Sequence, residues 1–285
     1  MSTNKEQLKT WGGGTHQNLI FHEPYVCTSQ ICNSSFFDLP LFQYWCDRLK
    51  APKVYHRKAW EWVYIAQALQ ERGMLAEGRK GIGFGCGEEP LVDGFASFGC
   101  KIRATDLKAG EDNAWVKTGQ NAAGDIKKLH KGISSLNQFL KNVTYQDVNM
   151  NEIPDDLRGY DFCWSSCALE HLGSLKHGLD FIRNSLKVVR PGGVMVHTTE
   201  YNLDEQEETL ECTDLSIYRK QDIEGVIQEL EMEGHTVSPL DLHQGDSIED
   251  GFADIPPYTS NVHLRLMLSK FRCTSIGLIV RKAER

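Results

Sequence analysis

The stretch KGIGFGCGEEPL, Lys80 to Leu91, sets glycines at positions 83, 85 and 87 and follows them with two carboxylates, Glu88 and Glu89. Residues without a Cβ let a ligand or a second backbone come close, and a glycine-rich turn from a strand into a helix puts that ligand at the helix N-terminus. The dinucleotide fingerprint G-x-G-x-x-G does not fit. Counted from Gly83 its third slot holds Glu88, and counted from Gly85 it holds Pro90. A pyrophosphate would also lie against Glu88 and Glu89. The turn is suited to a cationic or zwitterionic ligand rather than a polyanion.

Two further acids stand where an adenosine would need them. Asp106 ends the second strand about twenty residues past the glycines, where a carboxylate accepts both ribose hydroxyls. Asp147 ends the third strand and can accept the adenine amino group, while Val148 covers the ring. Each alone has a plainer reading as a turn former or helix cap. Candidates for moving a proton follow the later strands: Glu170 and His171 after the fourth, Glu200 after the fifth, and His263 ahead of the final hairpin. His171 can equally hold backbone in a tight connection. His197, inside the fifth strand, reads as a satisfied core histidine.

These residues need a scaffold of strands with short turns. Strand patterns at KGIGF, CKIRATD, VTYQDV, YDFCWSS and VMVHTT alternate with helix patterns, including EEPLVDGFASFG and LKHGLDFIRNSLKVV. HTVSPLDL and CTSIGLIVRK read as the last clear strands. Such alternation means an α/β fold with a mostly parallel sheet, whose ligand crevice lies beyond the carboxyl ends of the strands. VMVHTT has almost no polar alternation and reads as central and buried on both faces. Before Lys80 the chain reads as an irregular, aromatic arm with a helix from about His56 to Leu75. The expected division is an arm over 1–79, forming the lid and acceptor side, and a ligand-binding domain over 80–285.

Composition limits the partners. A net charge of −8 argues against the clustered Lys and Arg of a nucleic-acid footprint, and 40% hydrophobic with 25% charged residues fits an ordinary globular protein. No apolar run is long enough to span a bilayer and the N-terminus lacks a signal-peptide core, so the expected location is cytoplasmic. The nine cysteines are scattered with no CxxC pair, so neither a disulfide framework nor a zinc knuckle is expected. The acids from Glu200 to Glu211 lack ordered ligand spacing, and no metal site is expected.

From Lys80 to Arg285 the chain resembles the class I S-adenosylmethionine-dependent methyltransferases. The resemblance is carried by GIGFGCGEEP, ATD, QDV, YDFCWSSCALEHLG and LKVVRPGG, in that order, with LEHLG and RPGG most like the small-molecule branch. It implies a Rossmann-like three-layer sandwich with a seven-stranded sheet of order 3-2-1-4-5-7-6, and S-adenosylmethionine as cofactor. It also implies that Gly83, Gly85 and Gly87 approach the methionine portion, Asp106 holds ribose, Asp147 and Val148 hold adenine, and Ser165 lies near the amino-acid end. The family has an acid two places before the first glycine; here that place is Gly81, and Glu88 becomes the candidate partner for the cofactor's ammonium. The expected reaction is methyl transfer to a small polar acceptor, with O-methylation of a sugar, glycan or other hydroxylated metabolite foremost and Glu200 as base. A nicotinamide-dependent oxidoreductase and a non-catalytic adenosine-binding module are the rival readings.

Overall fold

The alternating segments assemble into a single mixed sheet in the computed structural model of the chain, which describes residues 25–108, 125–204, 207–258 and 260–284. A short strand from the arm, β1 (Ser29–Ile31), precedes β2 (Lys80–Phe84), β3 (Lys101–Asp106), β4 (Val143–Asp147), β5 (Tyr160–Ser166) and β6 (Val189–Asn202). Then follow β7 (Thr236–Val237), β8 (Leu240–Asp241), β9 (Ala253–Asp254), β10 (Arg265–Leu268) and β11 (Phe271–Arg281). The helices are α1 (Pro40–Leu49), α2 (Arg57–Glu71), α3 (Leu91–Ser97), α4 (Leu136–Asn142), α5 (Leu175–Val188), α6 (Lys220–Met232) and the single turn α7 (Ile248–Gly251). None is long and apolar enough to cross a membrane.

The main strand path is β4-β3-β2-β5-β6-β11-β1-β8, with β10 and β7 also paired to β11. The first five of these strands run parallel, and β11 returns antiparallel to β6 from Val194↔Arg281 to Asn202↔Cys273. From Gly192 onward β6 is buried without interruption. Among the described residues the sheet therefore has eleven strands, and its order departs from the expected 3-2-1-4-5-7-6. The outer edge of β11 is shared. The segment HTVSPLDL is split into two short strands around Pro239, which has no N–H to donate to a ladder. Its first half, β7, pairs with the end of β11, and β1 from the arm takes the next stretch at Gln30↔Gly277 and Ile31↔Ile276.

The helix that matters most for the cleft is α2. His56 caps it, its Nδ1 accepting the Lys58 N–H at 3.0 Å. Between Ala59 and Leu69 only Trp62 escapes burial, so α2 behaves as an interior helix rather than an amphipathic surface one. It lies across β5, β6 and β11. Trp60 stacks on Tyr64 with centroids 4.7 Å apart, and a Cβ at Gly277 of β11 would come within 2.0 Å of the Tyr64 ring, so only glycine admits it. Trp45, Trp60, Phe95 and Trp164 belong to one apolar cluster, so the arm helices and the sheet share a core. The opposite face carries α5 and α6 through Phe181, Ile182, Leu186, Ile223, Val226 and Leu230. This packing fixes the N-terminus of α2 beside the carboxyl ends of β5 and β6.

Candidate functional site

A cleft of about 760 Å³ opens at the carboxyl ends of the parallel strands. On one side the turn after β2 brings in Gly85 and Gly87, both at positive φ (58° and 51°). A Cβ on Gly85 would stand 2.8 Å from the Cβ of Ala168, so the backbone approach there depends on glycine. Asp106, at the end of β3, accepts the Gly87 N–H at 3.0 Å and the Leu107 N–H at 2.8 Å, one bond to each carboxylate oxygen. Burial raises its pKa. Val148 is buried in the cleft wall with Met150, and its N–H donates to the Asp106 carbonyl at 2.8 Å.

This half fits an adenosine. Each Asp106 oxygen keeps lone-pair capacity after its backbone bond, and an ionised carboxylate is acceptor-only, as two hydroxyl donors require. Val148 and Met150 supply an apolar surface for a ring.

Three expected contacts lie elsewhere. Gly83 is inside β2, where a Cβ would meet Trp164 at 2.4 Å and Cys86 Sγ at 2.5 Å; it makes room for the core, and the cleft wall begins at Gly85. Asp147 is level with Asp106 in the β3–β4 register but is exposed and does not line the cleft. Ser165 is fully buried and shares a 2.8 Å hydrogen bond with His197 Nδ1; successive strand residues face opposite ways, and it is Ser166 that lines the cleft. The other His197 nitrogen meets Ser185 Oγ at 2.9 Å, which makes it the satisfied core histidine expected. Glu88 lines the cleft but is 41% exposed and pairs with Lys131 at 3.4 Å. Its neighbour Glu89 is 14% exposed, and burial raises its pKa to about 7 against the opposing pull of Lys58.

The other side of the cleft is a wall of paired charges. Glu61, fully buried on α2, accepts from Lys58 Nζ (2.8 Å), Ser166 Oγ (3.0 Å), Cys167 Sγ (3.0 Å) and Ser275 Oγ (2.6 Å). Burial alone would raise its pKa, but Lys58 and Arg57 outweigh that and hold it near 2. Arg57 forms an ion pair with Glu200 of β6. Burial raises the Glu200 pKa while Arg57 opposes the rise. Glu170 is buried in the 3-10 turn Leu169–His171, where its Oε2 accepts from Thr199 Oγ1 at 3.0 Å. Burial raises its pKa too. Cys167 turns the chain at φ 43°, an uncommon conformation for a side chain with a Cβ. Burial keeps it a thiol, so it donates to Glu61. Ligand atoms of Cys167, Glu170 and Glu200 lie within 4.8 Å of one another.

His171 lines the cleft with its Nδ1 2.6 Å from the Asp214 carbonyl, which sets Nδ1 as donor; burial lowers its pKa and favours the neutral ring. His263 does not reach the cleft. Its Nδ1 meets Asp254 at 2.7 Å and its ring stacks on His56 at 4.4 Å. The loop from 251 to 264 thus meets the arm through backbone bonds from His263 N–H to Tyr55 O and from Arg57 N–H to His263 O.

The site also involves residues outside the sequence expectation: Arg57, Lys58 and Cys167 in the cleft wall, and Glu61 bonded to Lys58 and Cys167. The signal for Glu61 was present in AWEWV, a lone acid amid aromatics, preceded at i−4 and i−3 by Arg57 and Lys58.

No family model matches the chain. No characterised protein sequence matches it either. Among solved structures, an S-adenosylmethionine-dependent methyltransferase from Mesorhizobium loti is similar over 76% of this chain and 98% of that one, at 13% identity and a TM-score of 0.45. A SAM-dependent methyltransferase from Aquifex aeolicus covers 73% of this chain and 84% of its own, at 14% identity and 0.40. Phosphoethanolamine N-methyltransferase 2 from Haemonchus contortus covers 75% and 52%, at 13% identity and 0.48. All three lie below a TM-score of 0.5, and the chemistry of the cleft is to be read from its own side chains.

Proposed function

We propose that the chain is an S-adenosylmethionine-dependent methyltransferase acting on a small polar acceptor. The observation that carries this reading is Asp106, anchored through both carboxylate oxygens at the end of β3, beside the positive-φ glycines 85 and 87 and the apolar Val148. Asp106 would hold the ribose hydroxyls and Val148 with Met150 the adenine. Glu89, 14% exposed where Glu88 is 41% exposed, is the better-placed partner for the amino-acid ammonium. The cofactor, when bound, supplies an electrophilic methyl carbon on a sulfonium. The chain's part is alignment, exclusion of water and handling of the acceptor's proton.

The acceptor would enter between the N-terminus of α2 and the turn after β5. Arg57 fixes Glu200, and Lys58 fixes Glu61, so the wall is ordered before an acceptor arrives. For a hydroxylated acceptor such as a sugar or glycan, Glu200 would have to act as base while paired to Arg57. Glu170, whose second oxygen is open, is the better-placed proton acceptor. Equilibrium titration with S-adenosylhomocysteine and with NAD+ tests the reading. Binding of the first without the second is expected; the reverse would favour an oxidoreductase.

A further inference from the structure

The wall opposite Asp106 holds more carboxyl groups than cations to pair with them. Glu89, Glu170 and Glu200 line it with Arg57 and Lys58, and the fully buried Glu61 pairs with both cations. Both cations are committed: Arg57 to Glu200, with Glu61 at 3.7 Å, and Lys58 to Glu61 at 2.8 Å, with Glu89 at 3.9 Å. The His171 Nε2 lies 3.9 Å from Glu170 Oε1, too far for a hydrogen bond. Glu170 and Glu200 are 1% and 3% exposed, and Glu170 Oε1 and Glu200 Oε2 have no hydrogen-bond partner among the described residues. Both residues line the cleft. A buried carboxylate oxygen without a partner is costly, and a ligand that supplies N–H donors with positive charge removes the cost.

A hydroxyl brings one donor and no charge. A divalent ion on Cys167, Glu170 and Glu200 would meet a thiol that donates to Glu61 and a guanidinium already on Glu200. An ammonium brings single charge and up to three donors, enough for both open oxygens. We propose that the methyl acceptor is a primary or secondary amine that docks as its ammonium on Glu170 Oε1 and Glu200 Oε2. The proposal rests on the methyl-transfer reading given above. Glu170 takes one proton from the ammonium and frees the nitrogen lone pair, while Glu200, held by Arg57, orients the nitrogen. That lone pair forms the N–CH3 bond as the methyl–sulfur bond breaks, its electrons staying on sulfur. The product leaves as an N-methylammonium and the proton on Glu170 passes to solvent, one proton released per methyl transferred.

The test uses 1-propylamine, protonated at neutral pH, and 1-propanol as probes, titrated by ligand-detected NMR into the full chain with and without S-adenosylhomocysteine. Propylammonium should bind saturably and at least tenfold tighter than propanol. Glu170→Gln and Glu200→Gln should each weaken it tenfold or more while leaving S-adenosylhomocysteine affinity unchanged. Equal binding of amine and alcohol, or no saturable amine binding, overturns the proposal on the wild-type protein alone, whether or not the variants fold. Saturable Mn2+ binding that Glu170→Gln abolishes also overturns it, since the acids would then serve a metal. Failure of S-adenosylhomocysteine to bind would strike the methyl-transfer reading separately, because the amine titration without it still reports on the acid pair.

Discussion

Arg57, the first residue of α2, is ion-paired to Glu200 near the carboxyl end of β6, so a helix from the arm and a central strand are tied together in the wall of the cleft. Both side chains are largely buried, at 15% and 4% exposure. Removing one partner of such a pair leaves an uncompensated charge and costs about 3–5 kcal/mol, whereas removing both costs less than the sum. Urea unfolding of Arg57→Gln, Glu200→Gln and the double variant should give a coupling energy above about 1 kcal/mol. Additive effects would mean that the pair does not organise the wall.

Glu61 should govern the acid limb of stability. Its folded pKa is about 2 against 4.5 for a free carboxyl, so the folded state holds the charge more strongly than the unfolded chain. The stabilisation is complete above about pH 5 and is lost as pH falls toward 2, a difference of roughly 3 kcal/mol. Glu61→Gln should be less stable than wild type at pH 6, and the gap should narrow as pH falls toward 3. A gap independent of pH would show that the carboxylate's charge is not what its four donors hold.

Glu89 should do the opposite. Burial raises its pKa from 4.5 to about 7, so the folded state keeps a proton that the unfolded chain has released. Stability is then lost as pH rises from about 4.5 through 7. Glu89→Gln should match wild type to within about 1 kcal/mol at pH 5 and exceed it by roughly 3 kcal/mol at pH 8. Denaturant midpoints at the two pH values decide this, and an equal difference at both would contradict it.

The Asp106 side of the cleft was more legible in the sequence than the Glu200 side, for a physical reason. A glycine turn and an acid at a strand end are local patterns, and Gly85, Gly87, Asp106 and Val148 all line the cleft. One-residue alternation was harder to read: Ser165 and Ser166 are adjacent and both small, and only the packed structure shows that the first faces His197. Glu61 carried a local signal through Arg57 and Lys58, but its other partners come from distant places in the chain, β5, the turn after it and β11, and only the packed structure shows them. The strand order at the outer edge was missed because β1 is a three-residue strand in a segment with no periodic signal.

Ser165→Ala tests that alternation. It should leave S-adenosylhomocysteine affinity within about twofold, and it should cost about 1–3 kcal/mol by leaving His197 Nδ1 without a partner in the core. A large loss of cofactor affinity at unchanged stability would return Ser165 to the cleft.

The account depends most on Asp106 as the residue that holds the cofactor's ribose. Calorimetric titration of S-adenosylhomocysteine into wild type and Asp106→Ala, run side by side, measures this directly. Hydrogen bonds to a charged group contribute on the order of 1.5–3 kcal/mol, so the variant should bind about tenfold to a hundredfold more weakly while remaining folded. Unchanged affinity in a folded Asp106→Ala protein, or tight binding of NAD+ with no response to S-adenosylhomocysteine, would contradict it.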